Sequence, residues 1–414
     1  MIRRLSRVLT PSQVSVVETV RKVCAAPVYL VGGPVRDLLL GRPVLDLDFV
    51  IVGPADEWVE KIASALSGTV KKHERFFTSK IRLPDGAEAD VAETRTERYP
   101  EAGRLPVVER GATIEQDLTR RDFTIQAIAL KLNGDDAGVI VDPFDGRGDL
   151  RRRTVRILHS ESFRDDPVRA FRAVRYATRY GFRIEPQTRR AIRELLRKPE
   201  WLAAASDRIF DEWRRSFDEE RWIEIQRGLV REKLTAWIGI RSLNDRGRLR
   251  LTDACVHAFS ECQPPPERWA ARWLAVLSFC SRNVRLCIAA RMPFQKSLRK
   301  IFSAPTSPAS IAHALDRRQK PSRVVQLLAD QPSEWLSVLS IHARAAGRRL
   351  IRQFFAEWRH VPPPLTGEDL KKMGVPPGPA YPRILKTLHA ARLDGRLKSV
   401  EDIRRIVSRA QSMK

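Results

Sequence analysis

Short apolar runs alternate with amphipathic stretches over the first 160 residues, and this pattern predicts alternating strands and helices. The apolar run Tyr29–Val31 predicts a buried strand, and alternation between residues 45 and 52 predicts a second strand. Residues 55–66 have the spacing of a helix, and two strand-like runs within 70–91 are separated by a turn sequence, Pro84-Asp85-Gly86. We therefore expect an α/β domain with a mixed sheet.

Helical spacing replaces this alternation beyond about residue 185, so the remainder is predicted to be all-α. Proline clusters at 264–266, 305–308 and 362–364 are the expected breaks between its helices. We find no internal repeat and no His-Asp metal motif in this half of the chain.

Charge is distributed unevenly along the 414 residues, whose net charge is +25. Residues 1–160 have a net charge of only +2, and the rest of the chain has a net charge of +23. An arginine-rich composition from a GC-rich genome would explain part of the excess but not this asymmetry. The distribution favours chemistry in the first part and binding of a polyanion along the second.

The five cysteines, one of which is Cys262, show no C-x-x-C pair and no zinc spacing with the seven histidines. We expect reduced, mostly buried thiols and a cytoplasmic protein. No apolar run approaches the length of a membrane span, and Met1–Leu9 lacks the apolar core of a signal peptide. No membrane partner is predicted.

Candidate chemistry begins where the first predicted strand ends, at Gly32-Gly33. Glycines allow backbone N–H groups to approach an anion closely, and Arg36 adds a permanent charge suited to phosphate. In the next predicted strand, alternation places Asp46 and Asp48 on one face, where a divalent cation would relieve their repulsion. An Asp-rich turn is the alternative and would be favoured for an isolated Asp-x-Asp, but the upstream glycines and arginine favour a metal–phosphate site.

The stretch Gly32–Asp48 resembles the signature of the class II nucleotidyltransferases. These are the tRNA CCA-adding enzymes, their CC-adding and A-adding relatives, and the bacterial poly(A) polymerases. The resemblance implies that Gly32, Gly33 and Arg36 bind the nucleotide. It also implies that Asp46 and Asp48 are catalytic and hold two Mg²⁺ ions, with ATP and/or CTP as substrates.

A third catalytic carboxylate comes from a neighbouring strand in this family, and Asp90 lies at the matching place. Glu88 and Glu93 are close competitors for that role. Residues 117–127 resemble the family's second motif, Arg-Arg-Asp-Phe-Thr-x-Asn-Ala. By this match Arg121 would contact the triphosphate and Asp122 would accept from the ribose hydroxyl, although Asp122 also fits a helix N-cap.

Gln126 departs from that second motif, in which the family usually has Asn, and we leave it out of the predicted site. The longer amide could alter local helix or ribose packing.

Asp166-Pro167 predicts the N-cap and first residue of a helix, after which arginines recur at every third position. By resemblance, Asp166 and Arg169 act as a protein template that hydrogen-bonds the incoming base, with Arg172 and Arg175 at the triphosphate. A carboxylate that accepts and a guanidinium that donates can distinguish bases in this way. The family's leading Glu is Asp165 here, and a capped helix with an arginine face on RNA is the alternative.

Two further segments resemble mobile parts of the family. Tyr99–Arg110 lies where the family has a flexible loop that helps to switch nucleotide choice, and its length disfavours a CC-only enzyme. Asp142–Leu150 resembles the third motif and predicts a hinge or a plain surface turn.

The resemblance divides the chain into a nucleotidyltransferase head (1–155), a helical neck (156–215), a helical body (216–360) and a tRNA-binding tail (361–414). We expect a monomer or weak homodimer that adds CCA, or its terminal part, to the 3′ end of tRNA. A poly(A) polymerase and an inactive RNA-binding protein are the alternatives. The tail sequence and residues 73–78 favour tRNA, and an intact carboxylate cluster disfavours an inactive protein.

Overall fold

The computed structural model describes residues 2–238, 246–257, 267–291, 308–317, 319–331 and 333–412. The chain forms two compact units, one of Met1–Trp213 with Glu224–Gly239 and the other of Arg214–Ile223 with Ile240–Lys414. The predicted breaks at 264–266 and 305–307, and Cys262, lie outside the described residues. The division into four parts stays a prediction.

A seven-stranded mixed sheet forms the centre of the first unit, with the strand order β3-β4-β5-β2-β1-β8-β9. The pair β2–β5 is parallel and the other pairs are antiparallel. The strands are Val28–Val31 (β1), Leu47–Ile51 (β2), Thr69–His73 (β3), Thr78–Arg82 (β4), Glu88–Glu93 (β5), Arg95–Arg98 (β6), Val107–Arg110 (β7), Ala129–Lys131 (β8), Ile140–Val141 (β9), Thr154–Val155 (β10) and Arg183–Ile184 (β11). The predicted α/β domain is confirmed.

The α-helices that begin within the first 213 residues follow the amphipathic stretches of the sequence. They are Pro11–Val23 (α1), Gly33–Leu40 (α2), Asp56–Ala65 (α3), Ile114–Thr119 (α4), Gly146–Arg152 (α5), Ser162–Asp165 (α6), Val168–Tyr180 (α7), Pro186–Leu195 (α8), Pro199–Ala204 (α9) and Ser206–Asp218 (α10). Short 3-10 helices occupy Ile2–Arg7, Glu74–Phe76 and Thr124–Gln126.

The rest of the described chain contains helices and no strands, as predicted. Its α-helices are Trp222–Arg231 (α11), Arg246–His257 (α12), Arg268–Ser278 (α13), Arg282–Arg291 (α14), Pro308–Leu315 (α15), Pro321–Leu328 (α16), Ser333–His342 (α17), Ala345–Ala356 (α18), Gly367–Lys372 (α19), Ala380–Leu393 (α20) and Val400–Ser412 (α21). Ala236–Ile238 and Trp358–His360 are 3-10 helices. The last three α-helices share a small core that includes Leu370, Ile384 and Val407.

One face of the sheet is covered by α4, and this determines where polar residues remain accessible. Val50 on β2 packs in a buried cluster with Ile114 and Leu118 of α4. Side chains two residues apart on a strand share a face, so Asp48 lies on the same face as Val50, one step nearer the strand's beginning. Helix α4 therefore buries the end of this face around Val50, and the candidate site lies at the other end, around Asp48.

One predicted helix boundary and one predicted loop differ from the observed structure. Helix α7 begins at Val168 with Pro167 as its N-cap residue, so the predicted pair of Asp166 as N-cap and Pro167 as first residue is wrong by one position. Asp166 still accepts a hydrogen bond from the Val168 amide through Oδ1 (3.2 Å). The segment Tyr99–Arg110 contains strand β7, which pairs antiparallel with β6. The two strands form a ribbon whose tip is residues 99–106.

The cysteines of the described residues are all free, with Cys24 and Cys255 buried, Cys280 half-buried and Cys287 exposed. Burial raises the pKa of the Cys24 thiol to about 11. Of the four cysteines in the described residues, Cys287 is the exception to the expected burial. Within the described ranges, no helix combines the length and the apolar character needed to cross a bilayer.

Candidate active site

Two carboxylates face each other across the parallel pair β2–β5, where Asp48 stands opposite Asp90. Asp46 lies one residue before β2 begins. Burial raises the pKa of Asp48 to about 6, and the negative charges of Asp90 and Asp46 act in the same direction. Three acids thus gather at the polar end of one sheet face, at a cost to the charged form of Asp48.

The two competitors of Asp90, Glu88 and Glu93, each form ion pairs with basic side chains. Glu88 forms ion pairs with Arg82 (2.7 Å) and Lys80 (3.0 Å). Glu93 follows Asp90 by three positions and so lies on the opposite face, where it is buried and pairs with Arg110 (3.5 Å). Of the three, Asp90 is the one in register with Asp48.

Lys80 on β4 is a neighbour of this cluster that sequence reasoning missed. It pairs with Asp90 across the β4–β5 ladder, and its Nζ lies 3.1 Å from Asp90 Oδ1. Its cationic charge opposes the rise of the Asp48 pKa. The alternation of β4 could have indicated the face of Lys80, but only the strand register brings it to Asp90.

The donor set suits Mg²⁺, which binds few carboxylates and takes the rest of its oxygen ligands from water and substrate phosphates. Over the described ranges, no group of three His, Cys, Asp or Glu side chains is placed to hold an ion unaided. Burial raises the pKa of Asp48, the charges of Asp90 and Asp46 add to that rise, and a divalent cation stabilises such carboxylates in their charged form. The residues present therefore fit a metal shared with a phosphate-bearing substrate.

The glycine turn makes room for an arginine beside the acids. Gly32 has φ +67°, and a Cβ there would lie 2.9 Å from Nη1 of Arg121. Arg121 donates from Nη2 to Asp117 (3.2 Å), and its positive charge opposes the rise of the Asp48 pKa. Among the described residues, the buried Nε of Arg121 has no hydrogen-bond partner. An unpaired guanidinium N–H at this place is suited to an anionic ligand.

Gly33 begins helix α2 and lies between Arg36 and the acids. A Cβ on Gly33 would be 3.7 Å from Arg36 Nη2 and 3.9 Å from Asp48 Oδ2. The backbone therefore approaches the carboxylates closely at this turn, with the N-terminal end of α2 beside them.

Arg36 itself is buried rather than open to solvent. Its guanidinium binds both oxygens of Asp37 at 3.0 and 2.8 Å and lies over the ring of Tyr180, 4.5 Å from the centroid. It also donates to the side-chain oxygen of Gln126, which in turn donates to the hydroxyl of Tyr176 (3.3 Å). Gln126, which we left out of the predicted site, is thus a second link, beside the contact of Arg36 with Tyr180, between the glycine turn and helix α7.

Asp122 and Arg172 form the next pair. Arg172 donates from Nε to Asp122 Oδ2 (2.6 Å) and from Nη2 to the hydroxyl of Tyr176 (2.9 Å). Asp122 also accepts from the Phe123 amide (3.0 Å), and it is Phe123 that caps the following 3-10 helix. The N-cap interpretation of Asp122 is therefore wrong, and its carboxylate is fixed by an arginine from α7.

The two residues predicted to contact the base are each held by other parts of the chain. Asp166 forms an ion pair with Arg208 of α10 (2.7 Å). Arg169 donates to Ser162 Oγ (3.0 Å) and to the backbone carbonyl of Arg120 (2.8 Å). Asp166 lies two residues before α7 begins, and Arg169 lies in the first turn of α7, where it reaches the second motif at Arg120.

Arg175 of α7 is held by a glutamate of α10. It is buried, as Arg169 is, and binds Glu212 through Nε (2.5 Å) and Nη2 (3.1 Å). Val168, Phe171 and Val174 form a buried stripe beside the arginines. The triphosphate roles predicted for Arg36, Arg172 and Arg175 stay predictions, and all three guanidinium groups are bound by side chains of the protein.

Two family models match the chain. Residues 28–156 match the poly A polymerase head domain, and residues 181–238 match the probable RNA- and SrmB-binding site of polymerase A. The first match contains all the carboxylates of the cluster around Asp48, together with Arg121 and Asp122.

Curated relatives include enzymes of two nucleotide specificities. An A-adding tRNA nucleotidyltransferase of Geobacter sulfurreducens is 31% identical over 92% of this chain, which spans only 45% of that relative's length. An A-adding tRNA nucleotidyltransferase of Halalkalibacterium halodurans is 30% identical, with 90% of this chain and 86% of the relative covered. A CC-adding tRNA nucleotidyltransferase of Deinococcus radiodurans is 31% identical, with 91% and 87% covered.

Solved structures of CCA-adding enzymes match over nearly the whole chain. An apo form has a TM-score of 0.80 at 27% identity, covering 99% of this chain and 98% of the other. A complex with ATP has a TM-score of 0.77 at 26% identity, covering 100% and 97%. The Thermotoga maritima enzyme bound to tRNA has a TM-score of 0.71 at 26% identity, covering 99% and 97%.

The likeness to the Halalkalibacterium and Deinococcus enzymes extends over most of both chains, and the head-domain model includes the carboxylate cluster. The chain belongs to the family of tRNA nucleotidyltransferases and poly(A) polymerases.

Proposed function

We propose that this protein is a template-independent tRNA 3′-end nucleotidyltransferase. It transfers C and/or A from CTP or ATP to the 3′ hydroxyl of tRNA and releases pyrophosphate, adding CCA or its terminal part. The observation that carries this proposal is the pair Asp48–Asp90, in register on one sheet face beside the unpaired Nε of Arg121.

Asp46 and Asp48 are the residues that would hold two Mg²⁺ ions, with Asp90 as the third catalytic carboxylate. When bound, the metal supplies activation of the primer hydroxyl and neutralisation of the triphosphate. The position of Gly33 beside Asp48 Oδ2 supports this assignment, because a residue without a side chain lets the backbone of the turn approach a phosphate group next to the carboxylate.

The nucleotide is held by groups that converge from the second motif and α7. Arg121 binds the triphosphate through the N–H that has no protein partner. Asp122, fixed by Arg172, accepts from the ribose hydroxyl, which favours ribonucleotides over deoxyribonucleotides. Asp166 accepts from the exocyclic amino group of cytosine or adenine, and Arg169 donates to the neighbouring ring nitrogen.

A tRNA acceptor fits the charge distribution and the relatives. The net charge of +23 beyond residue 160 suits a large polyanion that is held by shape and backbone contacts. The relatives from three bacteria are named for tRNA, and one matched structure contains it.

The test incubates the protein with Mg²⁺, CTP or ATP, and three tRNAs that end before CCA, after the first C and after the second C. Incorporation on at least one tRNA, stopping at the natural 3′ end, is expected, and the pattern shows which nucleotides are added. Long A-tails on an unstructured RNA would replace the proposal with a poly(A) polymerase. If neither tRNA nor unstructured RNA is extended, the protein binds RNA without this activity.

A further inference from the structure

One arginine joins the predicted base-binding residue to the tip of the β6–β7 ribbon. Arg208 lies on α10 and donates from Nη1 to Asp166 Oδ1 (2.7 Å). Its Nη2 donates to the backbone carbonyl of Gly103 (2.6 Å). A guanidinium is planar and presents its donors in a fixed fork, so the two acceptors are held in one geometry.

The tip of the ribbon is seated where only glycine fits. Gly103 has φ +72°, and a Cβ there would lie 2.5 Å from the carbonyl oxygen of Trp201 and 3.1 Å from Cβ of Ala204. Its amide also donates to the carbonyl of Arg164 (3.0 Å). Gly103 is thereby fixed against α6 and α9 as well as against Arg208.

The other end of the same ribbon tip reaches Arg169. The guanidinium of Arg169 lies 5.8 Å from the ring centroid of Tyr99, and its Nη2 is 3.5 Å from the Tyr99 hydroxyl. Tyr99 donates to Glu97 of β6 (2.7 Å), which also pairs with Arg120. Both members of the pair Asp166–Arg169 are therefore in contact with groups that belong to, or are bound to, the ribbon.

The hydrogen bond from Arg208 leaves the other carboxylate oxygen of Asp166 available to a ligand. Both hydrogen bonds that the Asp166 carboxylate accepts within the described residues, from Val168 and Arg208, use Oδ1. With Oδ1 bound on two sides, the direction of Oδ2 is fixed. A fixed acceptor distinguishes the amino group of cytosine or adenine from the carbonyl that uracil or guanine presents at the same position.

We propose that Arg208 is a positioning residue that orients Asp166 for base selection and holds the ribbon tip in register with it. This inference rests on the proposed function, because it needs Asp166 to contact the base. It assigns Arg208 no contact with the nucleotide or with the reacting atoms. Its effect is on which nucleotide is accepted, through the orientation of one carboxylate.

The test compares Arg208→Met with wild type in the incorporation of CTP, ATP, UTP and GTP into tRNA. We expect the KM for the accepted nucleotides to rise about tenfold, kcat to change much less, and discrimination against UTP and GTP to fall about tenfold, as for a misaligned charge-assisted hydrogen bond. Arg208→Lys should recover part of the discrimination, since an ammonium can retain one of the two contacts. Arg193→Met, at an exposed position of α8, is the matched control.

A double-variant cycle separates positioning from a general structural role. If Arg208 acts through Asp166, Arg208→Met adds nothing to the loss of selectivity in Asp166→Asn, whereas independent effects would add. Unchanged selectivity in a folded Arg208→Met protein, or additive effects in the cycle, would overturn the proposal. Thermal denaturation of each variant confirms folding.

Equilibrium dialysis with CTP and UTP distinguishes failure of this inference from failure of the proposed function, because binding requires no acceptor. If wild type transfers nothing but prefers CTP to UTP, the proposed function fails. Loss of that preference in Arg208→Met then still supports the positioning role, and retention of the preference overturns it.

Discussion

Asp48 and Asp90 stand side by side on parallel strands that are separated by about forty residues of chain, and the charge of Asp90 adds to the cost that burial imposes on a charged Asp48. Lys80 and Arg121 offset that cost only in part, so a bound cation would stabilise the head. The arrangement therefore links the stability of the head to the occupancy of the site.

Replacing Asp48 by Asn should abolish nucleotide transfer, by roughly 10²–10³-fold or more, while leaving tRNA binding nearly unchanged. In EDTA at pH 8 the variant should be more stable than wild type, by up to about 3 kcal/mol, since the Asp48 pKa is raised by roughly two units and one unit is worth about 1.4 kcal/mol. Thermal denaturation with and without Mg²⁺ measures this, and Mg²⁺ should stabilise only wild type.

The sign of the pH dependence follows from the direction of the Asp48 shift. Its pKa is raised from 3.8 to about 6, so the folded state binds a proton more tightly than the unfolded state does. The penalty is present in full above pH 6 and is lost as the pH falls toward 3.8. The advantage of Asp48→Asn should shrink over that window, and a constant advantage from pH 8 to pH 4 would contradict the account.

Asp122→Asn should weaken the selection of ribonucleotides over deoxyribonucleotides, by about tenfold or more, because a charged acceptor for the ribose hydroxyl is lost. The measurement is kcat/KM for ATP against dATP, or for CTP against dCTP. Asp135→Asn, at an exposed position of the same unit, is the control. Unchanged selectivity would remove Asp122 from ribose recognition and leave it as the structural partner of Arg172.

Gln126→Ala should lower the free energy of unfolding by about 1–3 kcal/mol, because the buried guanidinium of Arg36 loses an acceptor. Urea denaturation measures the change. Gln187→Ala, at an exposed position of α8, should change stability by about 0.5 kcal/mol or less. If the two variants were equally stable, Gln126 would not be a link between the glycine turn and α7.

Arg175→Met should cost about 3–5 kcal/mol, because it leaves Glu212 charged and unpaired in the interior. The double variant Arg175→Met, Glu212→Leu should recover most of that stability. We expect its KM for ATP and CTP to stay within about twofold of wild type, since the guanidinium is engaged by Glu212. A large rise in KM despite recovered stability would instead support the triphosphate role that the sequence predicts.

Much of the head could be predicted because its signals are local. The strand at Val28–Val31, the glycine turn and the hairpin around residues 84–86 each follow from a few adjacent residues, whose side-chain alternation and turn chemistry restrict the backbone. The sequence leaves Glu88 and Glu93 as competitors of Asp90, because the choice among them depends on the register between β2 and β5. Register is a property of two strands, and neither strand contains it alone.

The three arginines of α7 show most clearly what helical spacing predicts and what depends on tertiary contacts. Helical spacing by itself places Arg169, Arg172 and Arg175 along one ridge, and it also predicts the buried stripe beside them. Their partners are the Arg120 carbonyl, Asp122 and Glu212, which come from segments 37 to 50 residues away. The sequence determined the carboxylates, the arginine ridge and their shared faces, because those depend on the periodicity of one element. Only the tertiary structure decided which partner each of these arginines has, and that Arg121 of the second motif keeps an N–H without a partner among the described residues, because those depend on how distant elements pack.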